Sequence, residues 1–349
     1  MGPICSWNEW DPLEEVIVGS ARGAAEIGYE PSLSSYFAPY SSERGAGGGP
    51  IPQPLVDEAE RQLDAFAGLL AERGIVVHRP DPLDHAVPFR TPDWEAPVGR
   101  AAACPRDLLL VVGDTIIEAP MAQRARFFEY RAYRRLLRAA FEAGARWVAA
   151  PKPLMTDDLY VDGEARLTEA EPAFDAACFA RFGRDLFWQP DMVSNVTGAE
   201  WVRRTLGPDF RLHPIRFGEA NPMHIDTSLV PVRPGLVLVN PERPCKDGGL
   251  DLFHRNGWQV VPAPPSVRGG KRRAGGVSNW ISMNILMLDP QTAVVEAAER
   301  PTIELLESHG CTVIPCAFDR VYGFGGSFHC CTCDLRRQGR LDSYFPSLD

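Results

Sequence analysis

The chain is poor in lysine. Of its 36 basic residues only Lys152, Lys246 and Lys271 are lysines, a skew that speaks of GC-rich, bacterial coding more than of a physical constraint. A basic surplus is missing as well. The 46 acidic residues outnumber the basic ones and leave a formal net charge of −10, which argues against a nucleic-acid backbone as the main partner. No apolar run approaches the ~20 residues of a membrane span, and no secretory hydrophobic segment is evident. Nine cysteines, an odd number, therefore read as reduced thiols of a cytoplasmic protein. Met1-Gly2 with Ser6 formally fits an acylation pattern, but Pro3 follows and the match is taken as accidental. Residues 269–276 are basic and glycine-rich yet lack the Walker spacing, so a solvated turn is the favoured reading and an anionic contact the minor one.

What is present is a repeated phrase within 349 residues, 45% of them hydrophobic, read here as a single unit spanning 1–349. A helical stretch, a glycine, a β-rich run and often a proline recur five times. The phrases are Leu63 to Arg73 with Gly74 and Ile75–His78, Tyr130 to Ala143 with Gly144 and Arg146–Val148, and Trp201 to Leu206 with Gly207 and Phe210–His213. Leu250 to Asn256 with Gly257 and Trp258–Val261, and Ile303 to His309 with Gly310 and Cys311–Ile314, complete the set. A glycine just past a helix accepts the left-handed conformation that ends it. Further strands are expected at Glu15–Gly19, Leu108–Val112, Thr115–Glu118, Leu186–Trp188, Leu236–Val239, Leu286–Leu288 and Ala293–Val295. The pattern predicts an α/β array of five mixed units around a central axis, whose equivalent loops converge at one end. An ordinary α/β domain whose helices happen to end in glycine is the alternative. Residues 20–54 carry no periodicity and read as a candidate mobile lid.

Chemistry concentrates in Gly323 to Asp334, which contains Gly325-Gly326-Ser327-Phe328-His329-Cys330-Cys331-Thr332-Cys333. Adjacent cysteines are poor zinc spacing, and a second Cys/His pair is missing nearby. Cys330 to Cys333 spells C-x-x-C, but near the chain end and not at the start of a βαβ unit. Buried, inert thiols are the bland reading. A glycine-rich loop that delivers a nucleophilic cysteine fits best. A free thiol with a pKa of about 8.5 needs help to ionise. Among seven histidines His224 is the best partner, flanked by polar and acidic residues in Asn221-Pro222-Met223-His224-Ile225-Asp226. His329 is the poorer one, because neighbours in an extended chain point to opposite faces. Asp107, in Pro105-Arg106-Asp107, and Asp185, in Gly183-Arg184-Asp185, stand at strand mouths like Asp226. Several carboxylates around one cysteine suit a planar guanidinium.

These residues carry a resemblance. The Gly325 to Arg337 stretch is similar to the nucleophile motif of the glycine and inosamine-phosphate amidinotransferases, within the guanidine-modifying pentein superfamily. Asn8 to Pro12, Cys104 to Asp107, Ile117 to Met121, Arg126 to Tyr130, Asn221 to Asp226, Asn240 to Pro244 and Trp280 to Asn284 match too, over nearly the whole chain. The resemblance implies a five-bladed pseudo-symmetric α/β propeller. It implies Cys330 as nucleophile, His224 as acid and base, and Asp185 orienting the histidine. Asp107 and Asp226 would hold the guanidinium of L-arginine, Arg243 its carboxylate, and Ser278, Asn221 and Met223 would help bind substrate. Val277-Ser278 stands where the glycine-specific branch has paired serines, so the acceptor amine stays open. No metal or organic cofactor is implied. The expected partners are L-arginine and an amine acceptor, with no nucleic acid and no membrane, and the chain could pair as a homodimer. An arginine-deiminase-type hydrolase could use the same side chains, with water resolving the intermediate to citrulline. A non-enzymatic scaffold would need no thiolate, and rapid iodoacetamide labelling of Cys330 near neutral pH would count against it.

Overall fold

Each of the five helix–glycine–strand phrases forms in the computed structural model, which describes residues 2–28, 30–33, 48–218, 223–267 and 278–348. The helices are α1 (Gln53–Ala71), α2 (Arg134–Glu142), α3 (Val196–Leu206), α4 (Asp251–Arg255) and α5 (Arg300–Ser308). Gly74, Gly144, Gly207, Gly257 and Gly310 follow them, all with φ between 74° and 100°, a region that costs an L side chain energy. Helix α1 begins ten residues ahead of its expected start, because Pro54 sits in its first turn where the missing N–H costs nothing. Val56, Ala59, Leu63, Phe66 and Leu70 give it one buried stripe.

The strands that follow the helices complete sheets of one build. The strands are β1 (Leu13–Val18), β2 (Val76–His78), β3 (Leu109–Val112), β4 (Thr115–Glu118) and β5 (Arg146–Ala149). Next come β6 (Phe179–Phe182), β7 (Asp185–Trp188), β8 (Arg211–Pro214), β9 (Leu229–Arg233) and β10 (Leu236–Val239). The last are β11 (Gln259–Pro262), β12 (Leu286–Asp289), β13 (Thr292–Glu296), β14 (Thr312–Cys316) and β15 (Thr332–Arg337). Four sheets run β3-β4-β5, β6-β7-β8, β9-β10-β11 and β12-β13-β14. In each, an antiparallel hairpin is joined on its second strand by a parallel strand delivered by the helix. A fifth sheet, β15-β1-β2, has the same build from both ends of the chain: β15 pairs antiparallel with β1, and β2 pairs parallel with it. Hydrogen bonding between the two termini thereby fixes where β15 begins.

Just ahead of the first strand of four sheets the chain makes a short helical turn, at Pro105–Leu108, Ala176–Cys178, Ile225–Thr227 and Ile281–Met283. The fifth sheet has a turn at 327–331, closed by the Cys331 N–H on the Ser327 carbonyl at 2.8 Å. Asp107, Asp175, Asp226, Asn284 and Cys330 thus occupy like places in separate units. The expected strand Glu15–Gly19 stops at Val18, since Gly19 leaves the sheet to donate to the Cys331 carbonyl at 2.9 Å. A Cβ at Gly19 would lie 1.9 Å from the Ala103 carbonyl oxygen. Within the expected lid, Ala25–Glu26 pairs antiparallel with Gly49–Pro50, while 29 and 34–47 lie outside the described residues. No helix among the described residues is long and apolar enough to cross a membrane.

The turn at 327–331 is packed from behind by α1. Phe66 makes edge contact with Phe328 at 5.0 Å between ring centroids, and Phe318 stacks on Phe328 at 4.2 Å. All three rings are buried. Replacing Phe66 by Ala should cost about 3–5 kcal/mol of stability through the cavity it leaves. A lowered urea midpoint at unchanged m would register that loss. Because Phe328 precedes Cys330 by two residues, the folded variant should also turn over more slowly than the wild type.

Candidate active site

Gly325 has φ of 111°, and a Cβ on Gly326 would lie 2.3 Å from the Cys330 Cβ. Any side chain at position 326 would displace the cysteine, so the pair of glycines is required by the turn it opens. Asn284 holds that turn. Its Oδ1 accepts the Ser327 N–H at 3.2 Å and the Cys330 N–H at 3.0 Å, and its Nδ2 donates to the Cys330 Sγ at 3.1 Å. The thiol donates to Asp226 Oδ2 at 3.2 Å. Burial pushes the Cys330 thiol up, and Asp226, Asp107 and Cys104 add to the effect, to well above 9.0. A thiol raised in this way stays protonated at rest.

His224 sits at φ 59°, an unfavoured backbone for a non-glycine residue. It is held there on both sides. Its N–H donates to Asp191 Oδ2 at 2.7 Å, and its carbonyl accepts Gln189 Nε2 at 2.9 Å. The ring Nε2 lies 3.1 Å from Asp175 Oδ2 and Nδ1 lies 3.6 Å from Asp107 Oδ1. Burial disfavours the imidazolium, but Asp107, Asp175 and Asp226 outweigh it and raise the pKa from 6.5 to about 10. Arg126 braces the carboxylates, at 2.7 Å from Asp107, 2.9 Å from Glu129 and 3.5 Å from Asp175. Asp107 Oδ1 and Asp175 Oδ1 are buried without a hydrogen-bond donor, so the cluster keeps spare acceptors for a cationic ligand. Arg243 is anchored by Thr227 Oγ1 at 2.7 Å, Ser228 Oγ at 3.1 Å and Ser278 Oγ at 3.0 Å. A buried thiol, a cationic histidine and unsatisfied carboxylates suit covalent attack on a cation, with a proton ready for the leaving group. Among the described residues no group of three His, Cys, Asp or Glu is arranged to hold a metal ion.

No family model matches the chain. Individual proteins do. The mitochondrial glycine amidinotransferase of Gallus gallus is 45% identical over 361 residues, covering 98% of this chain and 85% of that protein. The L-arginine:L-lysine amidinotransferase of Pseudomonas savastanoi pv. phaseolicola is 43% identical, covering 98% and 96%. The solved inosamine-phosphate amidinotransferase of Streptomyces griseus superposes with a TM-score of 0.90 at 40% identity, over 99% of this chain and all of that one. The chain belongs to the amidinotransferase family. A more distant likeness, to a DDAH from Pseudomonas aeruginosa with a TM-score of 0.59 at 13% identity, bears on the fold alone.

In this amidinotransferase the expected residues Cys330, His224, Asp107 and Asp226 come together, and Arg243 and Ser278 form a bonded pair. Met223 is half-buried against the core that contains Leu109 and Phe179. Asn221 lies outside the described residues. Asp185 is the correction. It accepts from Arg211 Nε at 2.8 Å and contacts His213 Nε2 at 2.7 Å, at the start of β7, and the carboxylate on the ring of His224 is Asp175 instead. Gly183 with φ of 67° makes the hairpin turn between β6 and β7, so Asp185 belongs to the turn end of its unit. Asp175 belongs to the converging end, with Asp107. Asp175 goes unnamed in the sequence reading, and Asn284, Arg126 and Glu9 fall in its matching motifs without an assigned role. For Asp175 the signal was there: it stands ahead of a first strand as Asp107 does.

Two substitutions separate the aspartates. Asp175→Asn should cut amidino transfer by tens-fold or more, on the order of 2–5 kcal/mol for unpairing a buried charge. Asp185→Asn should leave turnover near wild type and lower the melting temperature, as Arg211 and His213 lose their partner. The pH dependence of stability offers a second readout. A histidine raised from 6.5 to about 10 contributes stability that is full below pH 6.5 and lost as pH rises through 10. The stability gap between wild type and Asp175→Asn should therefore narrow between neutral and strongly basic pH. A gap independent of pH would separate Asp175 from the charge on His224.

Proposed function

We propose that this enzyme moves the amidino group of L-arginine through an amidino-cysteine on Cys330 to a primary amine, releasing L-ornithine. The observation that carries this reading is the Cys330 thiol bonded to Asp226, in a site shared with Asp107 and a cationic His224. Arginine's guanidinium enters between Asp107 and Asp226, which bind the planar cation. It cancels the negative charge that keeps the thiol protonated. The Cys330 sulfur then bonds to the guanidinium carbon, and the bond to arginine's chain nitrogen breaks as His224 protonates that nitrogen. His224 relays, so that over the half-reaction the thiol proton ends on the ornithine amine. In the second half the relay runs in reverse: the acceptor amine attacks the amidino carbon, His224 protonates the departing sulfur and takes the proton the amine sheds, so that the amine's proton ends on the restored thiol. Asp175 orients His224 and stabilises its charged form, and Arg243 with Ser278 meets the amino-acid end of the donor. No metal or organic cofactor takes part.

The acceptor is proposed as glycine or a natural-product precursor amine, a range supported by relatives named for glycine, lysine and inosamine phosphate. We read the like-built sheets as blades of a five-bladed pseudo-symmetric α/β propeller, one domain over 1–349. What supports this is the shared strand order and the like placing of Asp107, Asp175, Asp226, Asn284 and Cys330. The cysteine usage supports a cytoplasmic location.

Incubation with arginine alone should add an amidino mass to the peptide that contains Cys330, and with a panel of amines should yield ornithine and one guanidinylated amine. Citrulline in place of ornithine would establish the hydrolase, and an adduct on Cys331 or Cys333 would reject the nucleophile. Cys330→Ala should abolish the adduct, whereas Cys331→Ala and Cys333→Ala keep it. The high thiol pKa reverses one expectation of the sequence. Iodoacetamide should label Cys330 slowly at neutral pH in the resting enzyme, and raising the pH should speed it. Fast labelling at pH 7 would show that the carboxylates do not hold the thiol protonated.

A further inference from the structure

His329 was discounted beside the nucleophile, yet its ring bridges two buried carboxylates. Nδ1 lies 2.9 Å from Asp226 Oδ2, the atom that also accepts the Cys330 thiol, and Nε2 lies 3.4 Å from Glu9 Oε2. Both ring nitrogens facing acceptors is the pattern of an imidazolium, which has two donors, and not of a neutral ring with one. We propose that His329 is a positioning residue for amidino transfer, its doubly protonated ring fixing Asp226 toward the nucleophile and tying it to Glu9. This rests on the amidino-transfer reading above.

The surroundings of the ring account for its charge. Arg106 is the opposing group: its Nε donates to the His329 carbonyl at 3.3 Å, and its guanidinium disfavours a second cation nearby. Burial also disfavours the charged ring and is the largest influence. Asp226 and Glu9 outweigh both and move the histidine above its ordinary 6.5. Behind Glu9 stand Arg181 and Asp334. On the remaining side Ile225, Leu229, Met283 and Met287 line an apolar recess that also reaches Asp226, Glu9 and His329. That recess offers no competing side-chain donor, and His329 meets the same Asp226 oxygen that accepts the thiol. Burial pushes the Asp226 carboxyl up, yet His329, with help from His224 and Cys330, brings it down to about 2. A carboxylate kept ionised in this way can receive a guanidinium at neutral pH.

The function and the inference fail separately. Wild-type enzyme with arginine must first give the Cys330 adduct; without it the amidino-transfer reading falls. His329→Asn keeps a neutral donor near the place of Nδ1, and His329→Gln keeps one near Nε2. Both should slow adduct formation about tenfold or more, with Asn the milder, because the contact to Asp226 is the one that acts. In both, Asp226 loses its cation and its pKa rises, so the rate of adduct formation should fall on the acid side of neutrality where wild type holds it. A purely structural role would lower the melting temperature without moving that acid limb. Adduct formation within about twofold of wild type and an unmoved acid limb would overturn the proposal. A readout that needs no variant is the ring itself. Nitrogen-15 histidine spectra of the wild type should show, besides the charged ring of His224, a second doubly protonated ring that is lost in the His329 variants and persists at pH 7.5, well above the ordinary His pKa of about 6.5. A neutral His329 at that pH would also overturn it.

Discussion

Burying five formal charges at one place is tolerable only if each meets its complement, since every unpaired ion would cost several kcal/mol. Glu9, Arg106, Arg181, Asp334 and Arg337 are all buried and meet that condition. Asp334 takes Arg106 at 2.7 Å on one oxygen, and Arg181 at 2.7 Å and Arg337 at 2.8 Å on the other. Glu9 takes Arg181 at 2.7 Å and Arg106 at 3.2 Å. Spare guanidinium protons reach the Val111 and Met287 carbonyls. Arg181 stands on β6 and Asp334 and Arg337 on β15, the two carbonyls belong to β3 and β12, Arg106 lies in the turn before β3 and Glu9 ahead of β1, and His329 extends the cluster through Asp226 to the turn before β9. Hydrophobic packing gives each sheet its adhesion, but it is non-directional. The ion cluster has fixed geometry, and it fixes how the inner ends of the sheets meet.

Around the site itself the balance of charge tilts the other way. Asp107, Asp175 and Asp226 face His224, Arg126 and His329 in a space closed to water. A thiol there cannot ionise easily, because the thiolate would add a charge of the sign already present. The same carboxylates make His224 an acid with a pKa of about 10. Cysteine–histidine pairs are often imagined as thiolate and imidazolium at rest. Here the histidine is charged and the sulfur is not, and the missing element is a cation of the right shape. A guanidinium supplies it. On the proposed mechanism donor recognition and thiol activation become one event, and a neutral electrophile gains little from the site.

The five units were legible because glycine past a helix and the β-branched run after it are local signals that tertiary contacts rarely override. What escaped notice was the first strand of the second sheet. Phe179-Ala180-Arg181-Phe182 carries an arginine at a position that is buried, so its pattern does not read as a core strand until Glu9 and Asp334 are seen to pair with it. With that strand unseen, the aspartate of the following turn, Asp185, took the place that belongs to Asp175. His329 was undervalued for a different reason. Opposite faces are a rule of extended chain, and residues 327–331 form a turn. His224, Cys330, Asp107 and Asp226 were readable because their residue types are rare in such company. Asn284 carries no titratable group, and the Trp280 to Asn284 match marked it without a role, though it holds both the backbone and the sulfur of Cys330.

The nucleophile's placement is not the loop's own achievement. Glycine-rich turns are permissive and would leave a cysteine many positions. What narrows them is that the Cys330 carbonyl accepts the Arg106 N–H at 3.3 Å, the His329 carbonyl accepts Arg106 Nε, and the Cys331 carbonyl accepts the Gly19 N–H. Arg106 spends its remaining donors on Glu9 and Asp334, so the group that locates the sulfur is itself located by the ion cluster. Asp107, next to it in sequence, faces the substrate side and meets Arg126. One turn, Pro105–Leu108, therefore presents a structural cation inward and a ligand carboxylate toward His224. Stability and geometry are coupled at that turn. A change that loosens the central cluster therefore also loosens Arg106, the group that holds the Cys330 and His329 carbonyls.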